Sequence, residues 1–132
     1  VGTVRASRGA VIVADDEESI RSMMALVLQR AGFDVFTAAD GAQCLSLLSR
    51  VKARLVVLDI HMPGRDGAEV AAMMREGGRD APPILFATTD STLDTVQRAM
   101  RAGGADYLVK PFTPETLVAR VEACLRGRRG RV

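Results

Sequence analysis

The chain has 132 residues, 48% of them hydrophobic and 26% charged, enough for one hydrophobic core but not for two. Its net charge of +2 averages unlike parts: Arg5 and Arg8 precede Gly9 with no acids beside them, and Arg126, Arg128, Arg129 and Arg131 crowd the other end. Removing those six charges leaves residues 9–125 at −4, so the basic balance does not describe a nucleic-acid surface, and no apolar stretch approaches the roughly 18 residues of a membrane span.

In chain order, strand and helix signals alternate five times. The apolar run Val11-Ile12-Val13-Ala14 closes in Asp15 and Asp16. Ile20, Met23, Met24, Val27 and Leu28 then recur at helical spacing, with Gly32 as the stop. Phe33 to Ala38 reads as a strand interrupted by polar Asp34 and Thr37, the pattern of a sheet edge. Asp40 is an N-cap candidate for a helix carrying Cys44, Leu45, Leu47, Leu48 and Val51. The run Leu55-Val56-Val57-Leu58 ends in Asp59, followed by the turn-rich loop His61-Met62-Pro63-Gly64-Arg65-Asp66-Gly67.

A helix through Val70, Met73 and Met74 is expected to end near Gly77-Gly78. Pro82-Pro83 leads into the strand Ile84-Leu85-Phe86-Ala87, closing in Thr88-Thr89-Asp90. The next helix spans about Thr92 to Ala102, carrying Leu93, Val96 and Met100, and stops at Gly103-Gly104. Tyr107-Leu108-Val109 ends in Lys110 and Pro111. Thr113 and Pro114 form an N-cap and first-turn signal for a helix bearing Leu117, Val118, Val121 and Leu125. The expected division is a loose segment 1–8, one domain over 9–126, and a basic tail or linker start over 127–132. Cys44 and Cys124 sit in helical patterns beside apolar neighbours. They read as reduced packing residues in a reducing cytosol, and no signal-peptide pattern opens the chain.

Five βα units of this length predict an α/β three-layer sandwich, with right-handed crossovers leaving few ways to wind it. In a parallel sheet the carboxyl ends of the strands form the crevice where ligands bind. Asp15, Asp16, Asp59 and Lys110 would be delivered there by three separate strands. Packed carboxylates repel, and keeping them ionised requires a cation. An oxygen-only cluster suits Mg²⁺, which binds few protein carboxylates and keeps several waters. The implied chemistry is metal-assisted phosphoryl transfer onto a carboxylate.

Asp15-Asp16, Asp59, the Met62–Gly67 loop, Thr88 and Tyr107-Leu108-Val109-Lys110-Pro111-Phe112 together resemble the receiver domain of two-component response regulators. The resemblance covers about residues 10–126. It implies a flavodoxin-like five-stranded parallel sheet in the order 2-1-3-4-5, with a cis peptide before Pro111. It implies that Asp59 takes a phosphoryl group from a phosphohistidine donor, a sensor histidine kinase or phosphotransfer protein. Asp16, Asp59 and the backbone carbonyl of His61 would hold Mg²⁺ directly, with Asp15 acting mainly through water. Lys110 would pair with a phosphoryl oxygen and the Thr88 hydroxyl with another. Thr88 and Tyr107 would form the switch that reshapes the surface of the fourth helix, fifth strand and fifth helix for a downstream protein or output domain.

The same resemblance implies a cytoplasmic signalling phosphoacceptor that catalyses only its own phosphorylation and dephosphorylation. It implies no direct contact with nucleic acid and none with a membrane. Whether it stands alone or was cut from a transcription factor or hybrid kinase is left open, as is its state, monomer or phosphorylation-dependent dimer.

Two departures from the family pattern stand out. Thr89 occupies a position where Ala or Gly is usual, and its branched side chain is expected to narrow the approach to Asp59. Asp106 and Arg120 fit the charged pairs of dimerising receivers, yet Ala105 replaces an acid and Val96 a base. Competing chemistries lack their residues. A haloacid-dehalogenase-type phosphatase needs a second Asp where His61 stands. A flavodoxin-type binder needs a hydroxyl- and Gly-rich phosphate loop where Asp15-Asp16-Glu17-Glu18 would repel the ligand. A phosphate-independent interaction module would have lost an acid or the lysine, and none is lost.

Overall fold

The computed structural model describes residues 6–78 and 80–130, with backbone alone for 128–130. Strands and helices alternate as β1 (Ala10–Ala14), α1 (Glu18–Arg30), β2 (Asp34–Ala38), α2 (Gly41–Leu48), β3 (Ala53–Leu58), α3 (Gly67–Glu76), β4 (Ile84–Thr88), α4 (Leu93–Arg101), β5 (Asp106–Val109) and α5 (Pro114–Gly130). The strands pair in parallel in the order β2-β1-β3-β4-β5. This is the doubly wound, flavodoxin-like topology expected from the sequence.

Each central strand is apolar on both faces because each face is covered by helices. Ile12, Ala14, Val56, Leu58 and Phe86 point to one side, where they pack with Cys44, Val70, Ala71, Met74 and Ala99. The alternate residues Val11, Val13, Leu55, Val57, Leu85, Ala87 and Leu108 point to the other, against Met24, Leu28, Leu117, Val121 and Cys124. Each fully buried Val, Leu, Ile or Phe contributes about 1.5–3 kcal/mol, so the sheet's middle is the most stable part of the molecule. β2 is the edge that its polar interruptions predicted: four of its five residues are at least partly exposed.

The register then fixes the site. Ala14 pairs with Ala38 on one side and Leu58 on the other. The next residues emerge level, with the Asp15 N–H donating to Ala38 O at 3.0 Å and the Asp59 N–H to Ala14 O at 3.0 Å. Thr88 pairs with Val109, and the Lys110 N–H donates to Thr88 O at 2.8 Å.

Caps begin the helices where the sequence placed them. Asp40 Oδ1 accepts from the Gln43 N–H at 2.8 Å, and Thr113 Oγ1 accepts from the Thr116 N–H at 3.1 Å. Asp66, at the end of the turn-rich loop, caps α3 through the Glu69 N–H at 2.9 Å.

The inner face of α4 is small: the helix buries Thr95 and Ala99, while its larger apolar residues Leu93 and Met100 are 71% and 42% exposed. The space beside β4 and β5 takes small side chains one above the other at i and i+4, so the bulkier apolar residues rotate outward. At the chain ends, part of the segment expected to be loose is fastened. The Ser7 hydroxyl donates to Asp34, and Arg8 lies over the Phe33 ring and pairs with Glu122 at 3.0 Å. α5, expected to close near Arg126, continues as helix to Gly130. Residues 1–5 and Arg131, and the side chains of Arg128 and Arg129, lie outside the described residues. No helix among those described is long and apolar enough to cross a membrane.

Candidate functional site

The strand ends of β1, β3 and β5 bring Asp15, Asp59 and Lys110 together at the carboxyl edge of the sheet. Lys110 Nζ donates to Asp15 Oδ2 at 2.6 Å and to Asp59 Oδ2 at 3.3 Å. The peptide between Lys110 and Pro111 is cis. Asp15 is wholly buried and Asp59 nearly so, at 0% and 6% exposure. The remaining oxygens are also held: Asp15 Oδ1 accepts from the Glu17 N–H at 2.9 Å, and Asp59 Oδ1 from the His61 N–H at 3.2 Å. Asp16 lies at the exposed mouth.

The electrostatics follow from this geometry. Burial pushes the Asp59 carboxyl above its ordinary value, and Asp15 adds to the rise, while Lys110 and the His61 N–H pull against it. Burial alone would lower Lys110, but the hydrogen bond to Asp15 and the charges of both acids hold it above its ordinary value. One ammonium therefore faces three carboxylates. Asp15, Asp16 and Asp59 each offer an oxygen, all within 4.8 Å of one another. An all-oxygen donor set with uncompensated negative charge fits a hard divalent cation such as Mg²⁺, so the residues present suit the metal that the sequence called for.

The loop after β3 is held tightly beneath the site. A Cβ added to Gly67 would lie 2.2 Å from Asp59 O and 2.8 Å from Ile60 Cα. The Gly67 N–H donates to Ile60 O at 2.7 Å. Only glycine allows α3 to begin so close behind Asp59. The signal was present in the Met62–Gly67 loop, although nothing in the sequence showed which of its glycines was essential.

Thr88 is 1% exposed at the end of β4, and its Oγ1 accepts from the Asp90 N–H at 3.3 Å. Thr89 is exposed beside it. Tyr107, on β5, is partly buried, and its hydroxyl donates to the Asp90 carbonyl. Burial, then the charges of Asp90 and Asp59, raise its phenol above the ordinary value. The switch candidates Thr88 and Tyr107 thus meet at Asp90, the acid that follows the paired threonines.

Asp90 is the hub of this side. Its carboxylate accepts from the Thr92 N–H at 3.0 Å, the Thr92 hydroxyl at 2.8 Å and the Thr95 hydroxyl at 2.7 Å. The Thr92 N–H first, then the two hydroxyls and His61, hold it far below the usual carboxylate range. The His61 side chain turns away from the carboxylate cluster, with Nε2 at 3.2 Å from Asp90 Oδ2. The ring is therefore not gathered with the candidate metal ligands. The Asp106–Arg120 pair, considered as a dimer contact, closes within the chain at 3.2 Å.

Comparison with known proteins gives this geometry its family. The chain belongs to the response regulator receiver domains, whose family pattern it matches over residues 11–122. It is 39% identical over 116 residues to the alkaline phosphatase synthesis transcriptional regulatory protein PhoP of Bacillus subtilis, covering 88% of this chain and 48% of that protein. It is 39% identical over 119 residues to the DNA-binding response regulator MtrA of Mycobacterium tuberculosis, covering 90% of this chain and 51% of that one. The chain spans about half the length of these relatives. Among solved structures, the chemotaxis response regulator CheY4 of Vibrio cholerae superposes with a TM-score of 0.83 at 35% identity, covering 89% of this chain and 98% of that one.

Proposed function

We propose that this receiver domain takes a phosphoryl group onto Asp59 from the phosphohistidine of a sensor histidine kinase or phosphotransfer protein. The observation that carries the reading is the Lys110 ammonium, 8% exposed, held 3.3 Å from Asp59 Oδ2 and 2.6 Å from Asp15 Oδ2. A cation buried against the acceptor is placed for charge that develops on transferring oxygens, where it acts without reorganising. In the transfer, a carboxylate oxygen of Asp59 forms a bond to phosphorus as the phosphorus–nitrogen bond of the donor breaks, and the electron pair leaves on the imidazole. Asp16, Asp59 and the His61 carbonyl would hold Mg²⁺, with Asp15 reaching it through water, and the ion would supply positive charge that Lys110 alone does not.

The output follows from the hydrogen bonds around Asp90. A phosphoryl group on Asp59 adds negative charge and acceptor oxygens and would draw the proton of the Thr88 hydroxyl, whose oxygen accepts from the Asp90 N–H. Tyr107, bonded to the Asp90 carbonyl, responds to the same movement. The exposed Leu93, Met100 and Val109 lie on the α4 and β5 part of the surface that would meet a downstream partner. Phosphorylation acts on this surface as a population shift, limited by its differential contacts in the two states. The domain's place is the cytoplasm, as a monomer or a phosphorylation-dependent dimer.

The likeness to PhoP and MtrA favours one form of output, in which the receiver governs a DNA-binding domain of a longer regulator. The length of the native reading frame tests that form. The phosphoacceptor reading itself is tested by incubating the protein with a small acyl-phosphate donor, with and without Mg²⁺, and comparing intact masses. A Mg²⁺-dependent phosphate adduct that disappears in Asp59→Ala is expected, and a folded wild-type protein that acquires none overturns it.

A further inference from the structure

α4 is anchored by polar contacts more than by apolar burial, and two of them come from the loop that follows Asp59. Its inward face is only Thr95 and Ala99, and its larger apolar residues, Leu93 and Met100, are exposed. Near the helix C-terminus, Arg98 Nη2 pairs with Asp66 Oδ2 at 2.5 Å. At the N-terminus, Asp90 accepts from Thr92, the N-cap, and from Thr95 of α4, while its Oδ2 meets His61 Nε2 at 3.2 Å. His61 and Asp66 stand at opposite ends of one loop, which is fastened to the acceptor because the His61 N–H donates to Asp59 Oδ1 at 3.2 Å. The other oxygen of Asp66 caps α3 through Glu69, so this loop cannot shift without disturbing the partner of Arg98.

Building on the phosphoacceptor reading, we propose that the Asp66–Arg98 and His61–Asp90 contacts form a clasp that transmits occupancy of Asp59 to α4 by a path separate from Thr88. A new group on Asp59 competes for the His61 N–H, moves the loop and loosens both contacts. α4, with little buried apolar surface to hold it, is then released. Asp66 is both a helix cap and an ion-pair partner, so a change in the loop is felt in two helices at once. An exposed ion pair of this kind shifts an equilibrium by about two- to fivefold, which suits a bias on a helix with little buried apolar surface and not a lock.

The test is hydrogen exchange of the α4 amides, read by mass spectrometry, for wild type, Arg98→Gln, Asp66→Asn, the double variant and Arg101→Gln. Asp66→Asn keeps a capping oxygen while removing the charge, and Arg101→Gln makes the same charge change on the same helix. Each protein is measured free and with Mg²⁺ plus beryllofluoride, at low salt and at about 1 M salt, where exposed pairs are screened. Arg98→Gln and Asp66→Asn are expected to raise exchange of the free protein about two- to fivefold, without adding to each other. Both should shrink the further rise caused by beryllofluoride, high salt should bring wild type to the variants' level, and Arg101→Gln, which removes only a last-turn charge, should have a smaller effect and leave the beryllofluoride rise intact.

Additive effects, an equal effect of Arg101→Gln, or wild-type exchange indifferent to salt would overturn the clasp. So would α4 exchange in wild type that is unmoved by beryllofluoride while a phosphate adduct forms normally. Failure of the adduct itself would count against the phosphoacceptor reading, whereas the salt and non-additivity results on the free protein still decide whether the clasp exists.

Discussion

Replacing Gly67 by Ala isolates how closely the acceptor is positioned. The added Cβ would sit 2.2 Å from Asp59 O and 2.9 Å from Asp59 C, all backbone atoms, against a practical minimum near 3.0 Å. The end of β3 or the start of α3 must therefore yield by about 0.8 Å, the gap between those two distances. Overpacking of this size costs about 1–3 kcal/mol, and the 2.7 Å bond from the Gly67 N–H to Ile60 O stands in the path of any relief. A displacement near 1 Å at a reacting group slows its chemistry by about 10²-fold. The assay is the time course of Mg²⁺-dependent adduct formation from a small acyl phosphate, at a temperature where circular dichroism shows the variant folded. Gly64→Ala is the control: it lies in the same loop at φ +78 with nothing within 4 Å, so it should cost about 1 kcal/mol of strain and leave the rate within about threefold of wild type. A folded Gly67→Ala protein that is phosphorylated at the wild-type rate would refute the claim that this contact positions Asp59.

Three further expectations follow from the site. Lys110→Met removes the cation paired with Asp15 and Asp59, and breaking a buried pair in this way should cost about 3–5 kcal/mol in urea unfolding; a loss below 1 kcal/mol would mean that the pocket is wetter than its 8% lysine exposure implies. Asp59 is raised above its ordinary 3.8 mainly by burial, so the folded state holds that proton more tightly than the unfolded state, and stability falls as pH rises from 3.8 through the folded value. Metal-free Asp59→Asn should therefore be more stable than wild type at neutral pH and lose that advantage near pH 4, and thermal midpoints running the other way would reverse the assigned shift. Thr89→Ala should speed both acquisition and hydrolysis of the phosphoryl group by several-fold if the branched side chain narrows the approach. Unchanged rates would show that it does not.

The sheet and its edge were legible because burial on two faces demands uninterrupted apolar strands, and Val11–Ala14 and Leu55–Leu58 satisfy that demand while Asp34 and Thr37 break it. Asp15, Asp59 and Lys110 were legible because each is the first charged residue after an apolar run at a strand end. Hydrophobicity does not mark the inner face of α4. Its inner face is small, and Thr95 is buried by bonding to Asp90. Thr92 and Thr95 stand close to Asp90 in the chain, but the reach to it from His61 and Tyr107, 29 and 17 residues away, was invisible in one dimension. The same is true of Asp66 and Arg98, 32 residues apart. Spacing along a strand or helix predicts shared faces, but nothing in it predicts which loop meets which helix.

The central claim is that Asp59, and no other group in the cluster, carries the phosphoryl group. Borohydride reduction of the phosphorylated protein converts an aspartyl phosphate to homoserine, and peptide sequencing by mass spectrometry locates the change. Homoserine at position 59 alone, dependent on Mg²⁺, is the predicted result. Homoserine at 15 or 16, or a phosphate that resists reduction and maps to His61, would contradict the account.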